Sequence, residues 1–253
     1  MCKYFIVSDV HSFYTELLVA LNEKGFEKDN PEHKLIVCGD LFDRGDQTVQ
    51  LFEFVKSLGD RFIYVRGNHE DLLEDCLCEI KKGWSPSRHH HSNGTVKTIC
   101  HLCGENEWIM RDASWLRKVE DIMTPIMEYI NNKTVNYFDI GDKYVCVHGW
   151  WPVHDFVDDY HTAEDWLWKD ARWKNGMEMW KFPGCRIKGK TVICGHWHCS
   201  WGWSHIRQER KEWPQKNRSD WKKSFEPFVD EGIMAIDACT AYTGKVNCVV
   251  IEA

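Results

Sequence analysis

One pattern constrains this chain more than any other: short apolar runs that stop abruptly on Asp, Asn, His and Gly. Lys3–Ser8 leads into Asp9-Val10-His11, and His33–Cys38 into Gly39-Asp40-Leu41-Phe42-Asp43-Arg44-Gly45. Arg61–Val65 leads into Gly67-Asn68-His69-Glu70. Later, Tyr144–Val147 runs into His148-Gly149, and Lys190–Cys194 into Gly195-His196-Trp197-His198. Between the first three runs, Phe13–Leu21 and Thr48–Leu58 carry apolar residues at helical spacing, and a third helix is predicted from about Glu70 to Lys81. This alternation predicts an α/β fold built from parallel β-α-β units. In such sheets the carboxyl ends of the strands form the ligand face. Five strand ends would then converge on one region.

Each motif alone has an ordinary explanation. An acid-x-His triplet arises by chance, Asn68 could cap a helix, and Asp43-Arg44 could be an exposed turn pair. Together they assemble a particular chemistry. Carboxylate, imidazole and amide oxygen suit Mn, Fe or Zn, whereas thiolates would point to structural zinc. One carboxylate can bridge two cations, and a pair of cations clamps the oxygens of an in-line displacement while acidifying water. A guanidinium grips two phosphoryl oxygens at once. A histidine without a metal can protonate the leaving oxygen, and a neighbouring Asp keeps it charged. In that scheme Asp40 binds metal, Asp43 tunes a histidine and Arg44 holds substrate.

The ordered series Asp9-Val10-His11, Gly39 to Gly45, Gly67 to Glu70, His148-Gly149 and Gly195-His196 resembles the calcineurin-like metallophosphoesterases. The Gly39–Gly45 and Gly67–Glu70 motifs look like the serine/threonine phosphoprotein phosphatase branch, in its compact bacterial and phage form. The resemblance implies a β-sandwich with helices on both outer faces and the metal site at the carboxyl ends of strands. By position, Asp9 and His11 would hold a first metal, Asp40 would bridge, and Asn68, His148 and His196 would hold the second. His69 would be the general acid, paired with Asp43, and Arg44 would bind phosphate. Two divalent ions are implied, Mn foremost, with Fe or Zn as alternatives.

The chain also departs from this pattern. Ser12 stands where relatives usually have Gly, and Gly149-Trp150-Trp151 replaces a usual Ala-Gly. Broader members often use a histidine at the position of His198, which makes it a further candidate ligand. A second phosphate-binding arginine is expected, with Arg172 the candidate and Lys169 the fallback. Alternation along an extended segment sends Trp150 and Trp151 to opposite faces, so one of them is expected to line the pocket.

Composition narrows the class. The chain has 253 residues, 43% apolar and 28% charged, and no apolar run approaches the length of a membrane span. A single domain over 1–253 is expected, with an excursion at about 82–118 and an inserted segment at about 201–228. With Met1-Cys2-Lys3-Tyr4 opening straight into a strand, a cytoplasmic location is expected, and the twelve cysteines should remain thiols. Cys76, Cys78, Cys100 and Cys103 could form a zinc site, although buried free thiols are the commoner outcome. His89-His90-His91 reads as a solvated loop. The net charge of −7 argues against general nucleic-acid binding. The leading function is hydrolysis of a phosphate monoester, on a phosphorylated protein, peptide or small molecule. Two alternatives stand beside it: a dinucleoside polyphosphate or nucleotide hydrolase, with indoles stacked on bases, and a catalytically dead phosphate-binding module.

Overall fold

The computed structural model describes residues 1–106, 113–154, 157 and 159–253. The side chains of 113, 114 and 116 also lie outside the description, so the expected excursion at about 82–118 is described only in part.

The first half forms alternating strands and helices: β1 (Lys3–Val7), α1 (Tyr14–Glu23), β2 (His33–Cys38), α2 (Thr48–Ser57), β3 (Phe62–Val65) and α3 (Asn68–Lys81). β1, β2 and β3 pair in parallel, as the alternation predicts. After α3 come α4 (Arg88–Asn93), α5 (Thr95–Leu102) and α6 (Ala113–Lys133). α6 lies outside the elements predicted from the sequence. It buries Trp115, Val119, Met123, Met127 and Ile130, one residue per helical turn, on the first core. Val96, Ile99 and Cys100 of α5 join them.

Val135–Ile140, which the sequence reads as one strand, is divided between two. β4 (Thr134–Val135) adds in parallel to β3, while β5 (Phe138–Ile140) opens a second sheet as the antiparallel partner of β6 (Tyr144–Cys146). An extended run can serve two sheets when the chain crosses between them, and here it crosses at Asn136-Tyr137. The second sheet grows by β7 (Thr191–Cys194), β8 (Phe228–Asp230) and β9 (Ile233–Ala235), in the order β5-β6-β7-β9-β8. Ile233–Ile236 and Val246–Ile251, which the sequence reads as an antiparallel end, do not pair with each other. β9 runs parallel to β7, and β10 (Val249–Glu252) returns to the first sheet beside β1, giving β10-β1-β2-β3-β4.

Side-chain alternation along the strands assembles the layers. Ile6, Ile36, Cys38 and Val65 of the first sheet meet Ile140, Cys146, Ile193 and Ile236 of the second in a core between the sheets. The opposite faces carry Phe5, Val7, Leu35 and Val37 against the first set of helices, and Val145, Val192 and Ala235 against a tryptophan-rich layer. That layer includes α7 (Asp165–Ala171), α8 (Gly176–Trp180) and α9 (Cys199–His205), followed by the short α10 (Thr240–Thr243). Strands buried on both faces explain why their sequences are nearly continuous in apolar residues. The molecule is a sandwich of two mixed sheets with helices on both outer faces.

Candidate metal centre

The polar motifs lie where β1, β2, β3, β6 and β7 end. Their backbone is contorted in a consistent way: Asp9, His11, Ser12, Asp40, Asp43, Arg44 and His196 all have φ between 50° and 74°. That left-handed region is costly for residues with a Cβ, though Asp and His tolerate it better than most. It explains why glycine is usual at the position of Ser12, whose φ is 61°. The loops interlock through main-chain hydrogen bonds. His11 N–H donates to the Asp40 carbonyl at 3.0 Å, and Ser12 N–H to the Leu41 carbonyl at 2.8 Å. The packing leaves no room for side chains at two glycines. A Cβ on Gly67 would lie 2.3 Å from Asp40 Oδ1, and one on Gly195 would lie 2.2 Å from Asp9 Oδ2.

Two triplets of ligand-type atoms result, each with all its atoms within 4.8 Å of one another: His11, Asp40 and His69, and Asp40, His148 and His196. Asp40 is common to both, as expected of a bridging carboxylate. Asp9 lies beside the triplets, its carboxylate accepting the His196 N–H at 2.9 Å and the Ser8 hydroxyl. Asn68 joins the second triplet, its Oδ1 standing 2.8 Å from His148 Nε2.

The arrangement fits cations. His148 Nδ1 must donate to the Cys38 carbonyl at 2.8 Å, which turns the Nε2 lone pair toward Asn68 Oδ1 and toward Asp40 Oδ1 at 3.3 Å. Burial lowers the affinity of this imidazole for a second proton. A lone pair and two oxygens therefore face each other with no hydrogen between them, and a cation resolves that repulsion. His11 is oriented in the same manner, with Nδ1 on the Phe42 carbonyl at 2.8 Å and Nε2 turned toward Asp40. Burial and the Arg44 charge depress His11 strongly, and burial with His148 pushes His196 down to about 2, so all three imidazoles are neutral and have a lone pair that a cation could use. Burial raises Asp9 and Asp40 to about 6, an instability of the carboxylates that bound cations would relieve.

His69 is set differently. Its Nδ1 meets Asp43 Oδ2 at 2.7 Å, and its Nε2 lies 3.3 Å from the Arg44 guanidinium. Burial pulls its pKa down, but the charge of Asp40 and the hydrogen bond to Asp43 outweigh that and raise it to about 8. Asp43 is fixed in turn by the Thr95 and Thr98 hydroxyls, each donating at 2.8 Å.

Three expectations meet a different placement. His198 stands outside both triplets, its Nδ1 at 2.8 Å from Ser200 Oγ and its ring against Trp213. Arg172 is buried with Asp71 at 2.8 Å and Asn136 at 2.5 Å, and Lys169 faces Asp75 at 3.9 Å. Neither Trp150 nor Trp151 lines the site. Both are buried, with their indole N–H groups on the Cys185 carbonyl at 3.0 and 2.7 Å. One shared acceptor draws both rings into the core, against the alternation argument. An indole beside the site is that of Trp173, which is 45% exposed and meets the His196 ring edge-on at 5.9 Å. His90, expected in a solvated loop, is buried in α4 near Glu79. Cys76, Cys100 and Cys103 are buried free thiols in the first core.

Glu70 does more than the sequence reading assigned. It is buried and accepts the N–H groups of Asp40, Leu41 and Gly67 at 3.0, 3.1 and 2.8 Å, and the Tyr64 hydroxyl at 2.5 Å. One carboxylate thereby ties the β2 loop to the start of α3. Its signal was readable: a glutamate three residues after Gly67, at the third position of a helix, is a capping-box residue. Thr95, Thr98 and Thr240, which donates to the Asp9 carbonyl at 2.8 Å, had no such signal.

The Haemophilus influenzae symmetrical bis(5'-nucleosyl)-tetraphosphatase is 41% identical over 83 residues, covering 32% of this chain and 29% of that protein. The asymmetrical bis(5'-nucleosyl)-tetraphosphatase of Anoxybacillus flavithermus is 38% identical over 78 residues, covering 28% of this chain and 32% of the relative. The chain thus matches under a third of the length of these curated relatives. Among solved structures, one provisionally described as a diadenosine tetraphosphatase superposes with a TM-score of 0.54 at 17% identity, covering 99% of this chain and 90% of the other. A cold-active protein tyrosine phosphatase from a psychrophilic Shewanella superposes with a TM-score of 0.51 at 13% identity, covering 100% and 76%. The family model for calcineurin-like phosphoesterases matches residues 2–226, and the chain belongs to that family.

Proposed function

We propose that this chain is a two-metal hydrolase that cleaves a phosphoanhydride bond of a nucleoside polyphosphate, with dinucleoside tetraphosphates as the substrate class. The observation that carries the hydrolase reading is the pair of triplets sharing Asp40, one of which includes His69, with Arg44 beside His69. The names of the partial relatives support the substrate class over a monoester. Trp173, half-exposed against the His196 ring, supplies an apolar wall on which a base can stack. The residues form one domain in this reading. A phosphate-binding module without activity is disfavoured because the acid, the arginine and the ligands are all present.

Asp9, His11 and Asp40 would hold one divalent cation, and Asp40, Asn68, His148 and His196 the other. Cations bound there would supply Lewis acidity to phosphoryl oxygens and acidify water at neutral pH. The chain's own residues do the rest. Arg44 lies next to His69 Nε2, so a phosphoryl group gripped by the guanidinium presents its leaving oxygen to that nitrogen. His69, held charged by Asp43, donates the proton from Nε2, since Nδ1 is committed to Asp43. Glu70 fixes both loops, so ligands and acid move together as one unit.

A second reading, hydrolysis of phosphoserine or phosphothreonine, is favoured by the Gly39–Gly45 and Gly67–Glu70 motifs. The two readings differ at the leaving group. An alkoxide needs a proton far more than a nucleotide phosphate does. Manganese-reconstituted protein should hydrolyse diadenosine tetraphosphate with a kcat/KM well above that for phosphoserine peptides. The reverse order would establish the monoester reading, and loss of neither activity on chelation would refute both.

A further inference from the structure

The segment between α9 and β8 differs in charge from the rest of the molecule. From Arg207 to Lys223 it carries seven Lys and Arg against three acids, in a chain whose net charge is −7. It lines a cavity of about 470 Å³ that opens to solvent. Arg210, Lys211, Arg218 and Lys223 line it, with only Glu209 and Asp220 opposing them, and Trp221 forms part of its wall.

Several of these cations are held in place. The Arg210 guanidinium lies 4.0 Å from the Trp203 ring centre and bonds the Glu226 carboxylate at 3.2 Å and the Lys223 carbonyl. Arg218 is braced by Asp220 at 3.4 Å. Trp221 packs edge-on against Phe225 and Tyr242, with the ammonium groups of Lys216 and Lys222 near its ring at 5.5 and 5.6 Å. Among the described residues, the ammonium groups of Lys211 and Lys223 have no anionic partner. A cavity with two oriented guanidinium groups and two unneutralised ammonium groups is built for an anion with several charges spread along it.

We propose that this cavity binds an oligophosphate of three or more phosphoryl groups. A single phosphate carries too little charge to answer four lining cations, whereas a short phosphate chain spreads several charges along the cavity. The loop that lines the cavity also reaches His198, two residues after His196. Trp213, next to the lining residue Pro214, packs on His198 at 4.5 Å, and Glu212 lies 3.5 Å from His198 Nε2. The oligophosphate therefore has two sources: the far end of a substrate seated at the metals, or a free oligophosphate. Only the first source rests on the nucleotide reading above.

The test compares manganese-loaded wild type with Lys211→Glu/Lys223→Glu, and with Lys211→Gln/Lys223→Gln as the milder pair, all checked by thermal melting. Inorganic tripolyphosphate is titrated by calorimetry in 50 and 200 mM salt, and KM is measured for diadenosine tetraphosphate. For a free oligophosphate, wild type binds two equivalents and the charge-reversed variant one, with KM unchanged. For a substrate's far end, KM rises about 10-fold or more in the variant while kcat is kept, and the salt dependence becomes shallower. Superimposable isotherms and equal KM values in folded variants would overturn the proposal. Binding abolished in wild type by 200 mM salt would do the same.

Discussion

Asp43→Asn isolates the electrostatic support of the proposed acid. Asp43 is buried, contacts His69 Nδ1 at 2.7 Å and is itself held by Thr95 and Thr98. The other carboxylate supporting His69 is Asp40, which cations would neutralise. Asp43 is then the remaining negative partner. An opposite charge in contact raises an imidazole by roughly 1–3 pH units, or about 1.4–4 kcal/mol. The acid form is the active form, so activity is lost as pH rises through the His69 pKa. Lowering that pKa moves the loss to lower pH. The alkaline limb of kcat for an alkyl phosphate should therefore fall by about 1–3 units in the variant. Above the limb the rate should drop about 10–10³-fold, and well below it the rate should recover. Cations shift the limb of both proteins, so the difference between them is the readout. Stopped assays across pH 5–10, with an alkyl phosphate and with a substrate whose leaving group needs no proton, measure it. Superimposable limbs, or the same displacement for both substrates, would refute the assignment of His69 and Asp43.

Asp40→Asn should abolish turnover and lower the bound manganese measured by elemental analysis, because it removes the atom group common to both triplets; full activity in chelated wild type would end the two-metal reading. Glu70→Gln should destabilise the fold by about 3–5 kcal/mol in urea titration, since it unbalances a buried acceptor of four hydrogen bonds, and metal content should fall with it. Trp173→Ala should raise KM for diadenosine tetraphosphate about 5–100-fold, the loss of about 1–3 kcal/mol of stacking, with turnover of glycerol phosphate, which carries no base, unchanged. Equal effects on both substrates would make Trp173 structural.

The strand ends were legible because their signal is local. An apolar run followed by Asp, Asn or His is readable in a window of ten residues, and parallel pairing then carries those ends to one face. The same locality misled elsewhere. Val135–Ile140 reads as one strand, and only pairing with β3 and β6, far along the chain, divides it between two sheets. Helix α6 carries Pro125 and a run of mixed charges that mask its one-per-turn apolar face. Trp150 and Trp151 were misplaced because alternation says nothing of a shared acceptor such as the Cys185 carbonyl. Trp173 follows a short helix, and no residue near it in sequence reveals that His196 will stand against its ring. Glu70, by contrast, was readable from its helix position.

The left-handed backbone of Asp9, His11, Ser12, Asp40, Asp43, Arg44 and His196 has a consequence for how the molecule opens. At about 1 kcal/mol each, these seven distortions approach the whole net stability of an ordinary domain, about 5–15 kcal/mol. The loops cannot hold such a conformation alone, so the assembled sheets must impose it. Detaching the loops while the sheets stay folded would release that strain, making local opening easier than global unfolding. In hydrogen exchange, the amides of His11 and Ser12, which bond across to the β2 loop, should therefore exchange far sooner than those of β1 and β2. Occupied ligand positions would close that gap, so amide exchange at these loops becomes a gauge of metal loading that needs no substrate.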